Sequence, residues 1–170
     1  ETPDTRWIAG VLIGAVADQS TGNVISDCYV KNAVMNLTIK TAEQALESAG
    51  TIVGCSYNDS TYKTSTAKVS NCYTVNATIT GNNGSGGSLR VKTAATGLLG
   101  SKALKWTIEK CYVADVTIKN FANAANIVRS ATDSKPNITH CYAYNVNISN
   151  ANNSSYTDGS VTTIADAVTL

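Results

Sequence analysis

Apolar and polar residues alternate with a period of two in four short segments of the chain. The segments are ISDCYVKNAVM (25–35), VSNCYTVNATI (69–79), IEKCYVADVTI (108–118) and ITHCYAYNVNI (138–148). In each segment the Cys and the residue two later fall on one face, and the Tyr between them falls on the other. The alternation restarts after an Asn or Asp, which is a turn-forming residue type. Each segment therefore predicts two short, half-buried strands that flank a turn.

The four segments are copies of one repeat, because they align without gaps on the pattern [IV]-x-x-C-Y-x-x-[ND]-[AV]-x-[IM]. A weaker, glycine-containing block precedes each copy: AGVLIGA (9–15), AGTIVGC (49–55), TGLLGS (96–101) and ANIVRS (125–130). The last block departs from the others by placing Arg129 where they have Gly14, Gly54 and Gly100. With a strand in this block, each repeat is expected to hold three strands.

Short strands that recur in register predict an all-β chain folded as a right-handed parallel β-helix of about four to five irregular coils. One coil cannot bury its own apolar side, so neighbouring coils must stack. An up-and-down or sandwich fold is the alternative, but it gives no reason to repeat one residue type in one register. We expect a single domain over residues 1–170, with repeats at about 8–40, 48–81, 94–120 and 123–150, and a partial fifth coil or cap at 158–170.

Stacking of the coils would align equivalent residues in ladders. We expect an inward ladder of free thiols, a turn-lining ladder of Asn and Asp, and an outward ladder of Tyr. The respective members are Cys28, Cys72, Cys111 and Cys141; Asn32, Asn76, Asp115 and Asn145; and Tyr29, Tyr73, Tyr112 and Tyr142. Buried thiols pack as small apolar groups, so the Cys ladder is predicted to be structural.

Two segments between the repeats have a distinct composition. TAEQALESAG (41–50) is rich in helix-forming residues and favours a short helix. The polar insertion at 56–66 carries Tyr57 and Tyr62. Because binding residues concentrate on loops, these two Tyr are candidate ligand contacts, together with the four Tyr of the outward ladder.

Charge and chemistry narrow the classes of function. The chain has 13 Lys and Arg, 12 Asp and Glu and a net charge of +1, which gives no long-range attraction to nucleic acid. It has no apolar run long enough to span a bilayer. We expect no metal site, because no Cys-x-x-Cys spacing occurs and His140 is the one histidine. The paired carboxylates of a glycosidase are also missing from the repeat positions, so neither catalytic residues nor a cofactor is predicted.

The blocks GTIVG…VSNCYTVNATI and GLLGS…IEKCYVADVTI resemble the GLUG repeat, and the Ile-x-x-Cys-Tyr half is the specific part. The resemblance covers most of residues 8–150 in four copies. It implies a β-helical module of a bacterial cell-surface or secreted protein, of the adhesin-like kind found in gut Bacteroidetes. Repeats of that family are structural, so the resemblance implies no catalytic motif.

The expected function is therefore non-enzymatic, namely adhesin-like binding of a glycan or of a host or matrix protein outside the cell. A purely structural stalk or assembly module, partnered by other domains of a longer surface protein, is the first alternative. A carbohydrate-active β-helix enzyme is the second.

Overall fold

The computed structural model describes residues 6–16, 21–39, 45–56, 66–83, 94–101, 105–121, 123–129, 136–149 and 162–164. Every regular element in these ranges is a β-strand, and none is a helix. We group the strands by segment and call the first four segments rungs.

Rung 1 (residues 6–39) has five strands, and the later rungs have four each. Rung 1 contains β1 (Arg6–Gly10), β2 (Ile13–Val16), β3 (Asn23–Ser26), β4 (Tyr29–Lys31) and β5 (Val34–Ile39). Rung 2 (45–83) contains β6 (Ala45–Gly50), β7 (Val53–Ser56), β8 (Ala67–Ser70) and β9 (Tyr73–Asn83). Rung 3 (94–119) contains β10 (Ala94–Thr96), β11 (Leu99–Ser101), β12 (Thr107–Glu109) and β13 (Tyr112–Lys119). Rung 4 (123–149) contains β14 (Asn123–Ala125), β15 (Val128–Arg129), β16 (Asn137–Thr139) and β17 (Tyr142–Ser149), and β18 (Thr162–Ile164) follows.

The rungs stack into four sheets in which neighbouring strands are parallel. Sheet A has the order β1-β6-β10-β14, sheet B β2-β7-β11-β15, and sheet C β3-β8-β12-β16. In sheet D the order is β4-β9-β13-β17-β18, and β5 also pairs with β9. Each strand therefore pairs with its equivalents in the rungs before and after it, an arrangement compatible with a β-helix or another solenoid.

The division into strands differs from the predicted three per repeat. The chain breaks before each Cys, between sheets C and D, whereas in rungs 2–4 it continues as one strand through Asn76, Asp115 and Asn145. The glycine block in turn supplies two strands, one on each side of a tight corner. The predicted helix at 41–50 is wrong for its described part, because Ala45–Gly50 is strand β6 and pairs with both β1 and β10. Pairing on both sides outweighs the helix propensity of these residues.

The register also corrects the alignment of the fourth glycine block. Arg129 pairs with Ser101, and the register shifts between Leu99 and Ser101. Rung 4 thus lacks a counterpart of Gly100, and its Arg lies one position further along the repeat than the sequence alignment placed it.

The buried residues form one hydrophobic cluster, built from columns of equivalent positions in the sheets. One column in sheet D is Val30, Thr74, Val113 and Ala143, all buried; another is Met35, Ile79, Ile118 and Ile148. Ile79 and Ile118 in the middle rungs are buried, whereas Met35 and Ile148 in the outer rungs are half-buried. Burial is therefore most complete in the middle of the stack, where a rung lies on both sides.

Candidate functional site

A row of Tyr runs across sheet D, and the strand alternation creates it. Because Val30, Thr74, Val113 and Ala143 point into the core, the residue before each of them points outward. The parallel register then sets Tyr29 beside Tyr73, Tyr73 beside Tyr112, and Tyr112 beside Tyr142. The structure thus brings together the four Tyr that the repeat predicted to share one face.

Three rings of this row, those of Tyr29, Tyr73 and Tyr112, stack on one another. The ring centroids of Tyr29 and Tyr73 are 5.2 Å apart with planes at 9°, and those of Tyr73 and Tyr112 are 4.9 Å apart at 3°. Both faces of the Tyr73 ring are therefore covered by neighbouring rings, and the row offers solvent mainly ring edges and hydroxyl groups. Burial raises the pKa of Tyr112, with a smaller contribution from Tyr73, so its phenol stays protonated and able to donate a hydrogen bond.

Two columns of residues in the left-handed backbone region border the Tyr row. The column after the Tyr is the predicted one, with φ of 57° at Asn32, 53° at Asn76, 54° at Asp115 and 46° at Asn145. Its side chains are exposed and link the rungs in pairs. The Nδ2 of Asn76 donates to Oδ1 of Asn32 at 2.7 Å, and the Nδ2 of Asn145 donates to Oδ1 of Asp115 at 2.7 Å.

The column before the Cys is also left-handed, which the sequence pattern did not specify beyond an exposed edge or turn. Asp27, Asn71, Lys110 and His140 have φ between 53° and 56°. The Nδ2 of Asn71 donates to Oδ1 of Asp27 at 3.2 Å. Asp27 and Asn71 are residue types that favour this backbone. Lys110 and His140 are not, so the aligned sequences do not indicate a left-handed turn at this position. His140 is exposed and belongs to this turn.

The Cys residues support these turns from inside. Cys72, Cys111 and Cys141 are buried and Cys28 is half-buried, and all four are free thiols. Each Sγ donates to the carbonyl two residues earlier, across the left-handed residue: to Ser26 at 3.1 Å from Cys28, to Ser70 at 3.3 Å from Cys72, to Glu109 at 3.2 Å from Cys111, and to Thr139 at 3.4 Å from Cys141. A Cys fits this position because it combines small apolar bulk with a weak donor.

Hydrogen bonds between neighbouring thiols of the Cys column shift the pKa values of Cys72 and Cys111. Hydrogen bonds to Cys141 and Cys72, together with burial, raise the pKa of Cys111. The hydrogen bond from Cys111 lowers the pKa of Cys72 to about 7, although burial opposes ionisation there. Burial raises the pKa of Cys28. Because the Cys72 side chain has no exposed surface, its lowered pKa does not make it an accessible nucleophile.

One ion pair joins strands β8 and β12 of sheet C. The Nζ of Lys68 lies 2.8 Å from Oε1 of Glu109, and this contact lowers the pKa of Glu109. No group of three or more His, Cys, Asp or Glu side chains in the described ranges is placed to hold a metal ion. No helix in the same ranges is long and apolar enough to cross a membrane.

Some of the predicted contacts lie where the structure gives no description. Tyr57 and Tyr62 fall outside the described residues, and for Cys55 only the backbone is described. The backbone register does set Cys55 beside Ala15 and Ser101, as the sequence alignment predicted.

Comparisons with protein-family models, with curated proteins and with solved structures found no match for this chain. The likeness to GLUG repeats therefore stays a prediction from the sequence.

Proposed function

We propose that the chain is a GLUG-like, right-handed β-helix of four to five coils that acts as a non-enzymatic binding module at the cell surface or after secretion. The repeat pattern and the parallel pairing of equivalent strands support the coil arrangement.

The Tyr row is the observation that carries the binding function. It runs across four neighbouring strands, and Tyr29 and Tyr142 are its most exposed members, at 58% and 37%. Asn and Asp side chains line one of its borders throughout, and Asp27 and Asn71 begin the other border, which Lys110 and His140 continue. Tyr and Asn are residue types that proteins use for adaptable contact surfaces, since they combine apolar area with hydrogen bonding.

The stacking of the Tyr rings favours a protein ligand over a glycan. A sugar that stacks on an aromatic residue needs an open ring face, and the faces of Tyr73 are covered by Tyr29 and Tyr112. Ring edges, hydroxyls and amides instead suit the polar contacts of a protein surface. At the centre of the row, this geometry therefore supports a host or matrix protein as ligand more than a glycan laid across Tyr73.

A binding array of glycans and matrix proteins tests the proposal. The wild-type chain should bind a matrix protein, and the double variant Tyr29→Ser/Tyr142→Ser should bind it about tenfold more weakly or worse. Asn137→Ala changes an exposed side chain on sheet C and should leave binding unaltered. Thermal unfolding of each variant separates loss of contact from loss of fold.

The other outcomes would redirect the proposal. Equal binding by the double variant, with loss in Tyr57→Ser/Tyr62→Ser, would place the contact in the 56–66 insertion and overturn the Tyr row. No ligand on the array would favour the structural stalk, an alternative supported by the rings' stacking on each other. Release of products from a polysaccharide would identify an enzyme instead.

A further inference from the structure

The Cys column brings together four thiols that are far apart along the chain, those of Cys28, Cys72, Cys111 and Cys141. Between neighbouring rungs, the carbonyl of each Cys accepts a hydrogen bond from the N–H of the Tyr in the next rung. These bonds run from Tyr73 to Cys28 at 3.1 Å, from Tyr112 to Cys72 at 3.1 Å and from Tyr142 to Cys111 at 3.0 Å. Stacking therefore creates Cys pairs between rungs, although the sequence has no Cys-x-x-Cys motif.

The sulfur atoms take nearly the same position in each rung. Besides its contact with a carbonyl of its own rung, each buried Sγ lies close to a carbonyl of the rung before it. The distances are 3.7 Å from Cys72 to Ile25, 3.8 Å from Cys111 to Val69 and 3.6 Å from Cys141 to Ile108. Because these distances are nearly equal, the sulfur atoms repeat with the rungs. Neighbouring sulfurs therefore lie within about 4.8 Å of each other, the spacing of paired strands.

This spacing suits a soft metal ion that binds two sulfurs from opposite sides. A bond from zinc to a thiolate is about 2.3 Å long, so a cation of similar size midway between two sulfurs would span about 4.6 Å. Thiolates select soft cations such as Cu(I), and Cu(I) and Ag(I) are satisfied by two ligands in line. Zinc needs four ligands, whereas the gap between two rungs of the column supplies two sulfurs.

The charge of the column favours a monovalent cation. A buried charge is costly unless it is balanced, and a metal-bound thiol gives up its proton. When one monovalent cation replaces one thiol proton, the net charge of the column does not change. Four thiols enclose three gaps, so three cations would leave three thiolates, one thiol and no added charge. Each displaced proton is a weak donor to a carbonyl of its own rung, so little hydrogen bonding is lost.

We propose that the Cys column binds soft monovalent cations of the Cu(I) and Ag(I) class, one in each gap between neighbouring sulfurs. Cys28 gives them a point of entry, because it is half-buried whereas the other three Cys are buried. A cation bound between Cys28 and Cys72 can then pass from sulfur to sulfur into the inner gaps.

The fifth cysteine lies apart from the column. Cys55 is in sheet B, where its backbone pairs with Ala15 and Ser101, and neither neighbour carries sulfur. The variant Cys55→Ser therefore removes a thiol without removing a gap. It is the reference chain for the experiment, so that every retained cation is assigned to the column.

Counting bound silver by native mass spectrometry tests the proposal. The reduced Cys55→Ser chain is incubated with Ag(I) in a chloride-free buffer and then desalted. It should retain three Ag(I) and release three protons. Adding Cys141→Ser removes one gap and should lower the count to two. Adding Cys111→Ser instead removes two gaps and should lower it to one.

The unequal effect of these two variants distinguishes a column from separate thiols. Cys111→Ala should give the same count as Cys111→Ser, and thermal unfolding checks that each variant is folded. Cu(I) supplied without oxygen should give the same counts as Ag(I), and Zn(II) should not be retained. The proposal would be overturned by a chain that retains no Ag(I), by retention of Zn(II), or by a loss of one cation per variant whichever Cys is removed.

Discussion

At the scale of the residue, two positions in every repeat need a left-handed backbone. A residue with a side chain adopts this backbone at a cost of about 1–2 kcal/mol. Asn and Asp adopt it most readily, because their short polar side chains form local hydrogen bonds. The second position of each repeat holds Asn or Asp, which is why the sequence predicted a turn there. The first holds Lys110 in rung 3 and His140 in rung 4, two residue types that carry no turn signal. The pattern therefore identified one of the two turns and left the other open as an exposed strand edge or a turn.

The strain at Lys110 predicts that a substitution there stabilises the fold. Lys110→Asn relieves the left-handed backbone and should raise the free energy of unfolding by about 0.5–1 kcal/mol. Lys119→Asn makes the same change in the extended strand β13, where Asn is unfavourable. It should lower the free energy of unfolding by about 0.5 kcal/mol. Chemical denaturation of both variants checks the opposite signs. Two changes of the same sign would show that the left-handed turn is not what distinguishes the sites.

At the scale of the element, glycines set how closely sheets A and B approach at their corner. Gly10 and Gly50 pair in register at the ends of β1 and β6. A Cβ on Gly50 would collide with the backbone of Val53 and Gly100. The sequence predicted one strand in this glycine block. The block has too few apolar residues for their alternation to show that the chain turns a corner within it. The structure resolves two strands, and the glycines are the reason that they fit around it.

Gly14 and Gly54 allow a matched test of this corner. Gly54→Ala would push a Cβ into the carbonyls of Ala9 and Gly14, and it should destabilise the fold by about 1–3 kcal/mol or more. Gly14→Ala adds the same methyl group where nothing lies within 4 Å, and its effect should stay within about 0.5 kcal/mol. Chemical denaturation of the two variants measures the difference. Equal losses would mean that glycine matters here for its backbone freedom rather than for close approach.

At the scale of the whole molecule, stability depends on how many neighbours a rung has. In a stacked fold each rung contacts only the rungs beside it, so the free energy of unfolding is close to a sum over rungs and their interfaces. Parallel stacking was predictable from the repeat, because in-register copies bury their apolar faces only against each other. The structure of the two ends was not predictable from the repeat. Val24 and Val34 are apolar where the later rungs have polar residues, and β18, which pairs with β17, lies outside the four copies.

Hydrogen exchange should therefore be graded along the stack. Val116–Lys119 pair with β9 on one side and β17 on the other, whereas Val146–Ser149 pair with β13 and lie beyond the part of β17 that β18 covers. We expect the opening free energy of the second segment to be lower by about 1 kcal/mol or more, because among the described strands it pairs on one side, with β13. Mass spectrometry of exchanged peptides compares the two segments within one experiment. Uniform protection along the stack would instead indicate a fold that opens only as a whole.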